Sequence, residues 1–256
     1  MTFVSIRQMS DFPHLSKAPI VEALIDFRVR PKKGIGPKEL AAMHGRIKDR
    51  YPTSKAIREL QARFEVKEGE APQQAVEQKE RGYRFESTDG RYVLQVRVDG
   101  FTLSRLKPYE DWEALIDETQ SIWGRYVELL DPESVIRVAT RFINRVEIPV
   151  PMGKFEEFFT APPIVPKGLP EFVSEYFSRV VINDPNTGAM VIFTQALEPI
   201  GPSADVVPYL VDIDVFKEDT FGVASEELWK LLAEFRSLKN RTFFASLTPK
   251  TVELLR

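Results

Sequence analysis

Val135-Ile-Arg-Val-Ala-Thr-Arg-Phe-Ile-Asn-Arg-Val-Glu147 alternates like a β-strand, yet one face carries Arg137, Arg141 and Arg145 together. A strand rises about 3.3 Å per residue, so successive guanidiniums of that row stand roughly 13 Å apart. Burying an unpaired arginine is prohibitively costly. The row therefore has to meet carboxylates, an anionic ligand or water.

The same alternation occurs at residues 18–30, with Val21, Ala23, Ile25, Phe27 and Val29 on one side and Glu22, Asp26, Arg28 and Arg30 on the other. Glu22 and Asp26 repeat at the spacing of the arginine row, so two such strands side by side would form a ladder of ion pairs. A break at Gly34 to Pro37 precedes an amphipathic helix over about 38–50, with Leu40, Met43, His44 and Ile47 on one face. Residues 56–67 read as a strand, and the Gln- and Glu-rich stretch 68–80 as an exposed loop. Three short strands follow, 82–86, 92–98 and 101–106, joined at Asp89-Gly90 and Asp99-Gly100. Asp-Gly supplies the positive φ that tight hairpin turns demand. A helix over 110–130 repeats Trp112, Leu115, Ile116, Thr119, Ile122, Trp123 and Tyr126 at helical spacing, and the arginine strand comes next.

Residues 149–170 hold six prolines and read as a connector, because proline at that density prevents regular structure. Phe155, Phe158 and Phe159 predict that it packs into the core or into a partner chain rather than running free. Beyond it, strands 176–183 and 189–197 meet at Asp184-Pro-Asn-Thr-Gly188, then come strand 207–216 and helix 224–239. The expectation is an α+β fold: antiparallel meander sheets with amphipathic helices on one face, possibly in two similar halves. The domain reading is 1–148, a packed connector over 149–170, and 171–256.

The chain has no cysteine, two histidines and a net charge of −3. Disulfides, thiolate nucleophiles and His- or Cys-rich metal sites are thereby excluded, and a reducing, cytoplasmic setting is expected. No apolar run approaches the ~20 residues that span a bilayer, so no membrane partner is expected. Asp212 and Asp214 share one strand face, but two carboxylates supply too few ligands for a catalytic metal. No phosphate loop or catalytic motif accompanies them. No cofactor, metal or catalytic residue is expected, and the balance leans away from an enzyme.

Three segments together resemble an uncharacterised prokaryotic family of about this length, known for its sporadic distribution among genomes. They are Ala18-Pro-Ile-Val-Glu-Ala23, Leu106-Lys-Pro-Tyr-Glu-Asp-Trp112 and Arg141-Phe-Ile-Asn-Arg145, with Leu210-Val-Asp-Ile-Asp214 as a fourth, weaker piece. The resemblance departs at Phe142, where tyrosine is usual, so no role needing that hydroxyl carries over. It implies no activity. Patchy distribution often accompanies mobile elements, toxin–antitoxin loci and phage defence, which is association and not mechanism.

The candidate ligand or partner residues are Arg137, Arg141, Asn144 and Arg145 with Glu22, Asp26, Asp212 and Asp214. One reading is a non-enzymatic protein-binding module, taking a protein partner or a second copy of itself. Residues 28–50 hold eight Lys/Arg against two acids and residues 204–227 seven acids against Lys217, which suits self-association. The alternative is an enzyme or sensor that binds a phosphorylated ligand on the Arg/Asp face. Nucleic acid is a lesser option, since only Tyr51 accompanies the basic block.

Overall fold

A computed structural model describes residues 12–65, 73–170, 173–199, 201 and 204–256. Among them, nine strands and four α-helices form one antiparallel sheet with its helices on a single face. In chain order these are β1 (Ile20–Arg30), α1 (Pro37–Ile47), β2 (Thr53–Glu65), β3 (Gln73–Glu86), β4 (Tyr92–Arg97), β5 (Gly100–Leu106) and α2 (Trp112–Leu130). Then come β6 (Ser134–Pro149), β7 (Tyr176–Asp184), β8 (Ala189–Leu197), β9 (Val206–Phe221), α3 (Glu226–Ser246) and α4 (Pro249–Leu254). No helix among the described residues is long and apolar enough to cross a membrane.

The strand order is β2-β3-β4-β5-β1-β6-β9-β8-β7. It contains a topological repeat: β3-β4-β5-β1 followed by α2 has the arrangement of β7-β8-β9-β6 followed by α3. The antiparallel pair β1–β6 joins the two units at the sheet centre, with Leu24 opposite Arg141. By pairing, the second unit begins at β6. The prolines of 149–170 mark where the chain crosses over the sheet, not where the sheet divides, and both units share one core.

Period-2 patterning decides which side chains enter that core. Ala23, Ile25, Phe27 and Val29 of β1 are buried, and Phe27 lies 4.6 Å from Trp123 of α2 and 5.8 Å from Trp229 of α3. Asp111 starts α2 by accepting from the Ala114 N–H at 2.7 Å. The α2 stripe from Trp112 to Leu130 is buried as its spacing predicts. His44 stacks on Phe85 at 5.7 Å with Nε2 3.1 Å from the Pro52 carbonyl, a satisfied packing residue.

Two expectations change. Residues 73–80 of the predicted 68–80 loop are strand: β2 and β3 pair from Thr53–Glu86 out to Glu65–Gln73, while 66–72 lie outside the described residues. Only Gly82–Glu86 of β3 also pairs with β4, so Gln73–Glu80 forms a two-stranded ribbon with β2, without a further strand beside it. The stretch Gln73–Glu80 is polar except for Ala75 and Val76, and so lacks the alternation by which a half-buried strand is recognised. Gly82 stands where the ribbon meets the sheet; a Cβ there would collide with the Val96 carbonyl. The second change is at the C-terminus, where α3 runs on to Ser246 and a further helix, α4, follows. The connector does pack inward, with Phe158 and Phe159 buried and Phe159 stacked on Tyr209 at 4.0 Å.

Candidate functional site

The open face of the sheet carries the charge rows, and their groups are paired with one another. Arg137 donates to Asp26 and to Asp214, both at 3.0 Å, and its guanidinium lies 4.4 Å over the Phe216 ring. Arg141 grips Asp212 through two hydrogen bonds of 2.8 and 2.5 Å. Arg145 reaches Glu198 at 2.7 Å and also Glu147. The pairs run diagonally on one face: Arg141 stands directly opposite Asp214 but bonds Asp212 two residues along β9, and Arg137 bonds Asp214 and, on β1, Asp26 of the same face. Burial pushes the Asp214 carboxyl up in spite of the two arginines beside it, while the Asp212 hydrogen bonds hold Arg141 more firmly protonated. Glu22 lies on the same face and makes no ion pair among the described residues.

Asn144 does not belong to this face. It projects to the helical side, where its Nδ2 donates to the carbonyls of Val211 at 2.9 Å and Phe142 at 3.3 Å. Strand parity separates it from the arginines on either side. The charged face is thus a set of internal ion pairs. Replacing Arg137 by Ala, which strands two part-buried carboxylates, is expected to cost about 2 kcal/mol, below the 3–5 kcal/mol of a fully buried pair. Arg145→Ala, at the more exposed end of the row, should cost less than about 1 kcal/mol. Equal losses in urea unfolding of the two variants would contradict this gradient.

On the helical side lies a cavity of about 1160 Å³, and Lys239 of α3 is part of its lining. Lys239 is only 9% exposed, its Nζ stands 3.7 Å above the Phe142 ring, and no carboxylate pairs with it among the described residues. Desolvation, with the neighbouring Arg236 charge as a second cause, pushes the amine down to about 7. The walls are aromatic. Tyr109 meets the Phe142 ring edge-on at 5.6 Å, and Trp112 stacks on it at 6.2 Å. Arg236 lies 5.7 Å over Trp112 and is neutralised by Glu113 at 2.8 Å. The segment 12–19 forms another wall, fixed by the stack of Phe12 on Phe244 at 4.8 Å and by the Lys17 N–H donating to the Leu255 carbonyl at 3.0 Å.

Local sequence accounts for each part. Lys239 falls on the apolar stripe of α3, four residues after Phe235 and four before Phe243, both buried. Helical spacing therefore turns it inward with them. The Asp111 cap orients the first turn of α2 and with it Trp112. β6 lines the cavity with Phe142 and Asn144 from its helix-facing parity and, nearer its end, with Arg145 and Glu147 from the other parity. Three of the resembling segments, at 18–23, 106–112 and 141–145, all contribute to this one lining.

Lys239, Tyr109 and Trp112 are thus site residues that the charge-row reading passes over. The signal that finds them is a lysine at a position where the helical period demands an apolar residue. Comparison with known proteins adds no name: no protein-family model and no curated protein matches the chain.

Proposed function

We propose that this chain is a non-enzymatic binding protein whose ligand is a small organic acid with an apolar or aromatic body, held in the Lys239 cavity. The observation that carries the reading is the buried, unpaired Lys239 amine at an aromatic-walled cavity of about 1160 Å³. Ligand sites are typically apolar clefts of ~300–1000 Å³ with a few convergent polar groups, and this one is slightly larger than that range. A desolvated lysine gains its missing counter-charge when a carboxylate or phosphate enters. Tyr109 and Phe244, part-exposed in the lining, suit the rest of such a ligand. Convergence of the three resembling segments on the lining agrees with a shared binding site, and a cytoplasmic setting fits the absence of cysteine. The ion-paired sheet face, by contrast, offers an anion few unengaged donors.

The test is calorimetry with 1-naphthoate and decanoate against their uncharged counterparts 1-naphthamide and decanol. Trp112 in the wall supplies a fluorescence readout as well. The acids should bind the parent and lose at least about ten-fold, or ~1.4 kcal/mol, in Lys239→Met, with the uncharged pair indifferent to the change. Affinity for the acids should also fall as pH rises through about 7, where the amine loses its proton. Equal binding of acid and amide, or acids binding Lys239→Met as well as the parent, contradicts the proposal.

A further inference from the structure

The two edges of the sheet are built differently. β2, at one edge, carries Lys55, Arg58 and Glu59, and charges along an edge discourage pairing with another chain. β7, at the other, reads Tyr176-Phe-Ser-Arg-Val-Val-Ile-Asn-Asp184. Its Phe177, Val180, Val181 and Ile182 are 68, 48, 47 and 45% exposed. They lie on both faces. Val180 and Ile182 stand opposite Phe193 and Val191 on the helical side, and Phe177 and Val181 opposite Ala196 and Ile192 on the charged side. In the first unit the corresponding strand, β3, is covered by α1, whereas the second unit has the proline connector in place of a helix.

We infer that the chain pairs with a second copy of itself through β7, edge to edge and antiparallel, so that two sheets become one. Such a pairing is isologous about an axis normal to the sheet and keeps both sets of helices on one side. Residues facing each other across that axis share a sheet face, so the register must centre on a residue. Centred on Val181, it sets Val181 against Val181 of the second copy and Val180 against Ile182 in both directions. Arg179 then faces Asn183, and Ser178 faces Asp184, in both directions, so that polar residues meet polar ones on either side of the apolar centre. Centring on Val180 would instead set Val181 against Arg179 and Ile182 against Ser178. The strand is thus complementary to itself in its polar and apolar pattern, without any feature supplied from elsewhere.

Sedimentation and light scattering of the full chain at micromolar concentration test this. The parent should be a dimer. V181K and V181E, changed at an exposed position, should keep the far-ultraviolet spectrum of the parent and unfold cooperatively. Each alone places like charges face to face on the axis and should weaken the dimer at least about ten-fold. Mixed in equal amounts, the two variants should dimerise again. A monomeric parent overturns the inference, including a parent that is monomeric and captures a different protein. A dimer that persists in V181K or V181E overturns it too, and failure of the mixture to dimerise overturns the register centred on Val181.

Discussion

Lys239→Met should fold and be more stable than the parent at pH 7, with the difference shrinking as pH rises. Burial lowers the folded-state amine to about 7 from an ordinary 10.5. Between those values the unfolded chain holds a proton that the folded chain does not, so the parent gains stability with rising pH. At and below about pH 7 both forms are protonated and the full cost of desolvating the charge is present. The span corresponds to something on the order of 4 kcal/mol, and methionine, similar in reach and uncharged, removes it. Urea unfolding of parent and variant at several pH values between 7 and 10 measures the gap. A gap that stays constant across that range would show that Lys239 does not titrate in this window.

Phe159→Ala should cost about 3–5 kcal/mol, the range of large-to-small changes at a fully buried aromatic. Phe159 stacks on Tyr209 at 4.0 Å, forms a bridge with Leu247 beyond α3, and follows Phe158, whose carbonyl accepts from Thr248 N–H at 3.0 Å and Thr251 Oγ1 at 2.7 Å. Removing that ring detaches the connector from the end of α3 and from α4. Ile164→Ala, in the same connector but 88% exposed, should stay within about 0.5 kcal/mol of the parent. Similar midpoints for the two variants in denaturant would mean that the connector is not fastened through Phe159.

What the sequence makes legible follows from where one face of an element meets a core. β1, β6 and β9 alternate because helices press on one side only, and their partners across the sheet announce themselves through matching charge spacing. The ion pairs of Arg137 and Arg141 were accessible for that reason. The distal part of β3 was not, since Gln73–Glu80 carries no apolar alternation. Lys239 was hidden by its type: the helical reading stopped near it, although Phe235, Lys239 and Phe243 continue one four-residue spacing. Asn144 was grouped with the arginines by adjacency, where parity assigns it to the opposite face. The cavity itself depends on segments 12–19, 106–112 and 236–244 meeting, a long-range fact that no local period encodes.

The central β1–β6 ladder has a consequence for the order in which this molecule comes into being. Ile20 pairs with Asn144 and Arg30 with Ser134, so the middle of the sheet joins strands more than a hundred residues apart. On the ribosome, β1 through α2 can assemble while β1 still waits as an open border, and the chain must reach about residue 149 before that border is sealed. Ladders of such sequence separation are the slow kind, because loop closure precedes the contacts that reward it. The seam at the sheet's centre therefore closes only after the whole first unit has been made, and the nascent protein passes through an interval in which its own interior is an edge.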